Sequence, residues 1–250
     1  MLSFDDMLSH ISGRSDALRA AAVVADFDAR VPCCPDWSVR DLIAHVGEVQ
    51  LFWSAAVAAG PADSPPSDDA VGDVKPHGDM LAWSATATAT LVAALRDAGP
   101  ERGCWTWWKS AGAPMTAQAV ARHQVQEAAI HALDAQQAAG LGSSLPPSVA
   151  ADGVGEHLTV ELPTNGPWPH DPARLLIEAG DGGTWLIALG QDGALVSKQP
   201  DGTVLSAEAV VSGSPNDLVL AFYRRQDLER LQVVGDERLL SRLLTWPNLD

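Results

Sequence analysis

Three residues have side chains that could bind one divalent metal ion. Glu127 and His131 are four residues apart in a predicted helix, where four residues rise about 6 Å and both side chains leave the same face. His45 lies in another predicted helix, within an apolar stripe. Metal sites in helical bundles are built from side chains that project inward on facing helices. Two imidazoles and one carboxylate suit zinc and leave a coordination position open for a reacting molecule.

The same residues have simpler explanations. A Glu and a His four residues apart occur by chance in long helices, so Glu127 is also explained as a solvated carboxylate and His131 as a core histidine. His123, four residues before Glu127, forms a competing pair with it. His123 and His131 are about 12 Å apart along the helix axis, so we do not expect them to share one ion.

The charge balance narrows the classes of partner. The 250 residues include 16 Lys and Arg against 32 Asp and Glu, a formal net charge of −16. That charge disfavours binding to nucleic acid or to anionic lipid. No uninterrupted apolar run approaches the roughly 18 residues of a membrane helix, and the acidic first residues do not resemble a signal peptide. We therefore expect a cytoplasmic protein with no nucleic-acid or membrane partner.

The cysteines do not form a thiolate metal site. Cys33, Cys34 and Cys104 contain no C-x-x-C pair, and their odd number is typical of a reducing compartment. A bound metal would therefore use histidine and carboxylate ligands.

The pattern of the chain predicts an α+β fold with domains at residues 1–145 and 146–250. Helical periodicity and breakers place four helices of a bundle at residues 4–29, 38–60, 79–98 and 115–140. Ser38 and Asp41 form an acidic variant of the capping box at the start of the second helix. The polar segment between the second and third helices, rich in Pro, Gly and Asp, is predicted to be a long loop.

The second domain is predicted to combine hairpins with helices. Short β-like runs separated by turns that contain Gly and Asp lie at residues 173–180, 183–190, 193–199 and 203–213. Two helices are predicted at residues 214–226 and 236–246.

The remaining aromatic and imidazole side chains carry weaker signals. We expect most tryptophans to lie in the core rather than around a pocket: Trp37, Trp53, Trp105, Trp107 and Trp108. We expect four histidines that have no partner at ligand spacing to lie on the surface or in loops: His10, His77, His157 and His170.

Three segments resemble the mycothiol-dependent maleylpyruvate isomerase family. They are VPCCPDWSVRDLIAHVGEVQLFW at residues 31–53, QEAAIHALDAQQA at residues 126–138 and GSPNDLVLAFYRRQDLERLQVVGDERLL at residues 213–240. The second segment is similar to the family pattern E-x-x-x-H-x-x-D. The resemblance implies an N-terminal DinB-like four-helix bundle and a C-terminal α+β domain similar to sterol-carrier domains.

The resemblance also implies roles for individual residues. His45, Glu127 and His131 match the family's metal ligands, and Asp134 matches an aspartate that could orient a ligand histidine or lie on the surface. Arg225 matches an arginine suited to a substrate carboxylate. Because this chain has Arg224 before Arg225 where Gly-Arg is commoner, either arginine fits that role.

By the same resemblance, the chain is expected to use zinc, or another divalent metal, and the thiol mycothiol. A metal-activated thiolate would add to a small electrophilic molecule that bears a carboxylate, giving cis-trans isomerisation or S-transfer. The alternatives are a non-catalytic metal- or ligand-binding accessory protein and a metal-dependent hydrolase. The protein is expected to be a monomer or a homodimer.

Overall fold

Helices dominate the first of two structural units, which comprises Met1–Lys109 and Pro114–Leu145. The computed structural model describes residues 2–142, 144–200 and 205–246. The helices of this unit are α1 (Phe4–Ala25), α2 (Val39–Ala59), α3 (Asp68–Val71), α4 (Met80–Ala98) and α5 (Ala117–Ala138). A two-stranded ribbon precedes α2 and consists of β1 (Arg30–Val31) and β2 (Cys34–Ser38).

Polar side chains begin the long helices, as their sequence predicts. The Ser38 hydroxyl accepts from the Asp41 backbone N–H, and the Asp41 carboxylate accepts from the Ser38 N–H, so the predicted capping box is confirmed. Ser3 and Asp6 repeat this arrangement at α1. Since Ser38 sets where α2 begins, it also sets which residues of α2 face the bundle.

The four long helices bury one apolar core. α1 packs on α5 and on α4, while α2 packs on α4 and α5. Leu18 of α1, Leu42 and Ile43 of α2, and Ala132 and Ala135 of α5 belong to one buried cluster. α5 therefore lies among the other three helices, and most of its residues are buried.

The helix α2 is long and strongly apolar. By length and composition alone α2 resembles a membrane-spanning helix, with 21 residues and a mean hydropathy of 1.3 in its most apolar window. Half of that window is buried inside the protein. Core helices of bundles commonly reach this hydropathy, and the packing of α2 against α4 accounts for it here.

Two predictions for the first unit need correction. The first helix ends at Ala25 rather than residue 29, because the chain turns into the β1–β2 ribbon that leads to Ser38. The segment at residues 61–78 is not entirely loop, since Ser67 caps the single turn of α3.

The second unit comprises Ser110–Ala113 and Pro146–Asp250 and contains a five-stranded sheet. Its elements are α6 (Pro147–Glu156), β3 (Ala173–Glu178), β4 (Thr184–Gly190), β5 (Gly193–Gln199), β6 (Ala209–Ser212), α7 (Pro215–Phe222), β7 (Gln232–Gly235) and α8 (Glu237–Thr245). The strand order is β5-β4-β3-β6-β7, with β3 and β6 parallel and the other neighbours antiparallel. This helical unit followed by a sheet-containing unit confirms the predicted α+β class.

The second unit also contains elements that the sequence did not predict. α6 lies before the first predicted strand of this unit and continues into a π-helical turn at His157–Glu161. β7 is a four-residue edge strand, too short for a periodic signal. The predicted strand at 203–213 is observed only at Ala209–Ser212, and its first two residues lie outside the described residues.

Candidate metal centre

His45 stands in the second turn of α2, on a helix that is otherwise strongly apolar. The neighbouring Leu42, Ile43 and Val46 are fully or almost fully buried in the bundle core. The His45 side chain keeps 36% of its surface exposed. The core residues fix the rotation of α2, and the imidazole is therefore held at the edge of the core, where a small molecule could reach it.

Glu127 and His131 meet His45 from α5. One carboxylate oxygen, Oε1 of Glu127, lies 3.1 Å from Nε2 of His45 and 3.4 Å from Nε2 of His131. The two imidazole rings are 5.2 Å apart and almost perpendicular. The structure thus brings together the three residues predicted as ligands.

Asp134 lies behind this group, one turn further along α5. Its Oδ2 is 3.0 Å from Nδ1 of His131, and its side chain is completely buried. The alternative that Asp134 is a surface acid is therefore wrong. Because the carboxylate accepts a hydrogen bond from Nδ1, Nε2 is the nitrogen of His131 that faces Glu127.

The charges at this site are strongly coupled. Burial alone would raise the pKa of Glu127, but His131 and the hydrogen bonds from both histidines hold that pKa well below its usual value. Burial would likewise lower the pKa of His131, yet Glu127 and Asp134 raise it to about 9. Glu127 is therefore an anion at neutral pH, and the site favours a positive charge.

The arrangement of donors fits a zinc ion. One donor atom from each of His45, Glu127 and His131 lies within 4.8 Å of the other two. Two ligands of a tetrahedral zinc ion, each about 2.1 Å from the metal, are about 3.4 Å apart, close to the separations seen here. Two imidazoles, one carboxylate and a buried aspartate behind a histidine also form the donor set that zinc prefers.

Trp37 covers one side of the metal group. Its ring centroid is 4.7 Å from that of His45 and 6.1 Å from that of His131. Trp37 is the last residue before the Ser38 cap of α2, so the β1–β2 ribbon positions it. The prediction that this tryptophan belongs to the core missed its contact with the site, because no spacing in the sequence links it to α5.

His123 belongs to a different environment from the metal group. Its ring lies 6.0 Å from Trp53, 5.6 Å from Trp107 and 5.2 Å from Trp108. Trp53 and Trp108 are buried, as predicted for core residues, whereas Trp107 is exposed. Glu127 thus groups with His45 and His131, and the competing pair with His123 is not the arrangement observed.

Arg224 and Arg225 lie in the second unit, just after α7. Arg224 has a positive φ of 56° and donates from Nε to the carbonyl oxygen of Leu244 in α8, at 2.9 Å. Arg225 donates from Nη1 to the carbonyl oxygen of Tyr223, two residues away, at 2.7 Å. Arg224 thus connects two helices of its own unit, whereas this hydrogen bond of Arg225 is local.

One histidine prediction in the second unit is wrong. His157 is not at the surface but buried, with its ring stacked 4.8 Å from that of Phe222. Its burial could not be predicted from the sequence, because no periodic pattern indicated the π-helical turn that holds His157.

Comparisons with known proteins agree with this organisation. The family model described as mycothiol maleylpyruvate isomerase N-terminal domain matches residues 8–136. The model described as MDMPI C-terminal domain matches residues 148–242. A search of curated proteins found no match.

Solved structures show a similar fold over almost the whole chain. A crystal structure of a mutant of the mycothiol-dependent maleylpyruvate isomerase is similar with a TM-score of 0.61 and 15% identity, covering 94% of this chain and 95% of that one. The structure of that isomerase itself gives a TM-score of 0.57 at the same identity and coverage. At 15% identity the structural similarity shows a common fold, and the assignment to a family rests on the two family models. The chain therefore belongs to the mycothiol maleylpyruvate isomerase family.

Proposed function

We propose that this protein is a mycothiol-dependent isomerase that uses one zinc ion held by His45, Glu127 and His131. The observation that carries the proposal is the convergence of three ligand atoms within 4.8 Å, with Asp134 bonded to the far nitrogen of His131. Family membership supports the thiol and the class of reaction.

Each residue of the site has a separate task in this proposal. Zinc, when bound, lowers the pKa of a coordinated thiol so that thiolate is available at neutral pH. Asp134 holds the imidazole of His131 in the tautomer that presents Nε2. Glu127 supplies a full negative charge, which its low pKa maintains. Trp37 shields one side of the histidine pair from water.

The reaction itself is an addition followed by an elimination. The sulfur of the thiol forms a bond to one carbon of a cis double bond that is conjugated to a carbonyl, and the electron pair moves onto the carbonyl oxygen. Rotation about the resulting single bond and expulsion of the thiolate give the trans isomer. The thiol is regenerated, so no oxidant or reductant is required.

We propose that Arg225 binds a carboxylate group of the substrate. A guanidinium presents two parallel N–H groups that match a carboxylate. The family resemblance matches Arg225 to this role, while the Nε of Arg224 donates to the carbonyl oxygen of Leu244. Arg225→Lys should raise KM for a carboxylate substrate and leave zinc content unchanged.

Elemental analysis of the purified protein tests the metal site first. We expect about one zinc per chain in the wild type and loss of that zinc in His45→Ala and in His131→Ala. His77→Ala is the matched control, because His77 is exposed and its imidazole pairs with the nearby Asp73 instead of the metal group. Zinc retained in both ligand variants would refute the assignment.

Turnover tests the chemistry separately. The zinc-loaded protein should isomerise maleylpyruvate only when mycothiol is added. A stable thioether product would instead indicate S-transfer. Formation of a hydrolysis product in the absence of thiol would indicate a metal-dependent hydrolase. Zinc binding with no turnover on a panel of electrophiles would favour the accessory role.

A further inference from the structure

Gln124 of α5 is a buried polar residue whose side chain has no hydrogen-bond partner within the described part of the chain. It is completely buried, with a relative exposure of 0%. Among the described residues, neither its Oε1 nor its Nε2 makes a hydrogen bond. Polar groups buried in native proteins are nearly always hydrogen-bonded, because leaving them unpaired costs free energy. The unpaired amide of Gln124 therefore indicates a hydrogen-bond partner other than the residues of the bundle.

The position of Gln124 on α5 points to the metal group. Gln124, Glu127, His131 and Asp134 follow one another at intervals of three, four and three residues. At 3.6 residues per turn these positions form one stripe along the helix. Residues three apart have Cβ atoms about 5–6 Å from each other, so Gln124 is the neighbour of Glu127 on the side away from His131.

The chemistry of the side chain narrows what it binds. A carboxamide offers N–H donors and one carbonyl acceptor side by side. An amide group in a ligand matches both, since it has one carbonyl oxygen and one N–H. In mycothiol the sulfur belongs to a cysteine whose amino and carboxyl groups are both amides, a few bonds from the sulfur.

We propose that Gln124, which is covered in the thiol-free protein, becomes accessible when the thiol binds, accepts and donates hydrogen bonds to its cysteinyl amide, and thereby orients the sulfur at the metal group. This inference rests on the proposed function, because it requires the thiol to bind at His45, Glu127 and His131. Gln124 is a positioning residue in this scheme. It selects thiols that carry an amide beside the sulfur, and it takes no part in bond making.

Two thiols of different structure separate this role from metal binding. N-acetylcysteine amide carries the amides next to its sulfur, whereas 2-mercaptoethanol has none. Both can be titrated into cobalt-substituted protein, in which a thiolate bound to cobalt produces a charge-transfer band in the near ultraviolet. The dissociation constant of each thiol is measured for wild type and for Gln124→Met, which keeps the length of the side chain and removes the amide.

We expect Gln124→Met to weaken N-acetylcysteine amide about tenfold, the effect of losing one or two hydrogen bonds, and to leave 2-mercaptoethanol unchanged. The melting temperature of the thiol-free variant should be equal to or higher than that of wild type, because an unpaired buried amide is removed. If Gln124 had only a structural role, Gln124→Met would lower that melting temperature instead. Gln126→Met is the control, since Gln126 is equally buried but lies on another face of α5.

The outcomes are distinguishable. Equal weakening of both thiols, or no change in either, overturns the role of Gln124 while leaving metal and thiol binding intact in wild type. Absence of a thiolate band in wild type with either thiol overturns the proposed function, and this inference falls with it. If Gln124→Met does not fold, Gln124→Asn, which retracts the same amide by one methylene, must show the same selective loss.

Discussion

Nδ1 of His131 donates a hydrogen bond to Oδ2 of Asp134 across 3.0 Å, entirely within α5. The two residues are three apart, so a single turn of helix holds the carboxylate behind the imidazole. This contact fixes the tautomer of His131 and turns its Nε2 toward Glu127, 3.4 Å away. The orientation of one proposed ligand is thus built into a local stretch of sequence.

Removal of the Asp134 carboxylate should weaken metal binding. We expect Asp134→Asn to reduce zinc affinity by about 10- to 100-fold, because the amide can donate toward Nδ1 and no longer favours one tautomer. Competition with a chromophoric chelator measures this affinity. Asp69→Asn, at an exposed position of α3, should bind zinc like wild type. Equal affinity in Asp134→Asn and wild type would mean that Asp134 does not orient His131.

Two glycines inside helices should respond oppositely to alanine. A Cβ on Gly47 of α2 would overlap the indole ring of Trp83, so Gly47→Ala should cost about 1–3 kcal/mol of stability. A Cβ on Gly13 of α1 would meet nothing within 4 Å, so Gly13→Ala should stabilise by about 0.5–1 kcal/mol. Urea unfolding gives both values. Adding Trp83→Leu should relieve the Gly47→Ala defect, and failure of that rescue would contradict the packing argument.

Burial of His157 should make the second unit sensitive to mild acid. Burial lowers the pKa of His157 to about 4 from an ordinary value of 6.5. His157 therefore becomes protonated in the unfolded chain between pH 6.5 and 4 but stays neutral in the folded chain. The free energy of unfolding consequently falls as the pH falls through this window. The loss should reach about 2 kcal/mol at pH 5.

Urea unfolding at pH 7 and pH 5 measures this effect. His157→Leu cannot titrate, so its stability should fall by about 2 kcal/mol less than that of wild type between the two pH values. His77→Leu, at an exposed position, should retain the wild-type difference. Identical pH dependence in His157→Leu and wild type would show that His157 is not buried in its neutral form.

Cys104 should be protected from thiol reagents in the native protein. Its burial raises the pKa of the thiol to about 11, so very little thiolate is present at pH 8. We expect wild type and Cys104→Ser to react with the same number of equivalents of an aromatic disulfide reagent when folded. After denaturation wild type should react with one more. A difference between the two folded proteins would place Cys104 at an accessible position.

Local patterns in the sequence predicted much of the first unit. The capping box at Ser38 placed the start of α2, and the E-x-x-x-H-x-x-D spacing placed Glu127, His131 and Asp134 on one face of α5. These features depend on backbone geometry within one or two turns of helix, which is why they can be read without the fold. Short or interrupted elements such as β7 and the π-helical turn carried no comparable signal.

The sequence by itself determined the four long helices of the first unit, the stripe on α5 and the kinds of ligand atom available. Only the tertiary structure decided that His45, 82 residues before Glu127, contacts that stripe and that His123 lies among tryptophans instead. The tertiary structure also decided that Trp37 flanks the histidines and that the Gln124 amide is buried without a hydrogen-bond partner among the residues described. Contacts between helices depend on how their apolar faces pack together, and a helical period specifies a face without specifying what it meets.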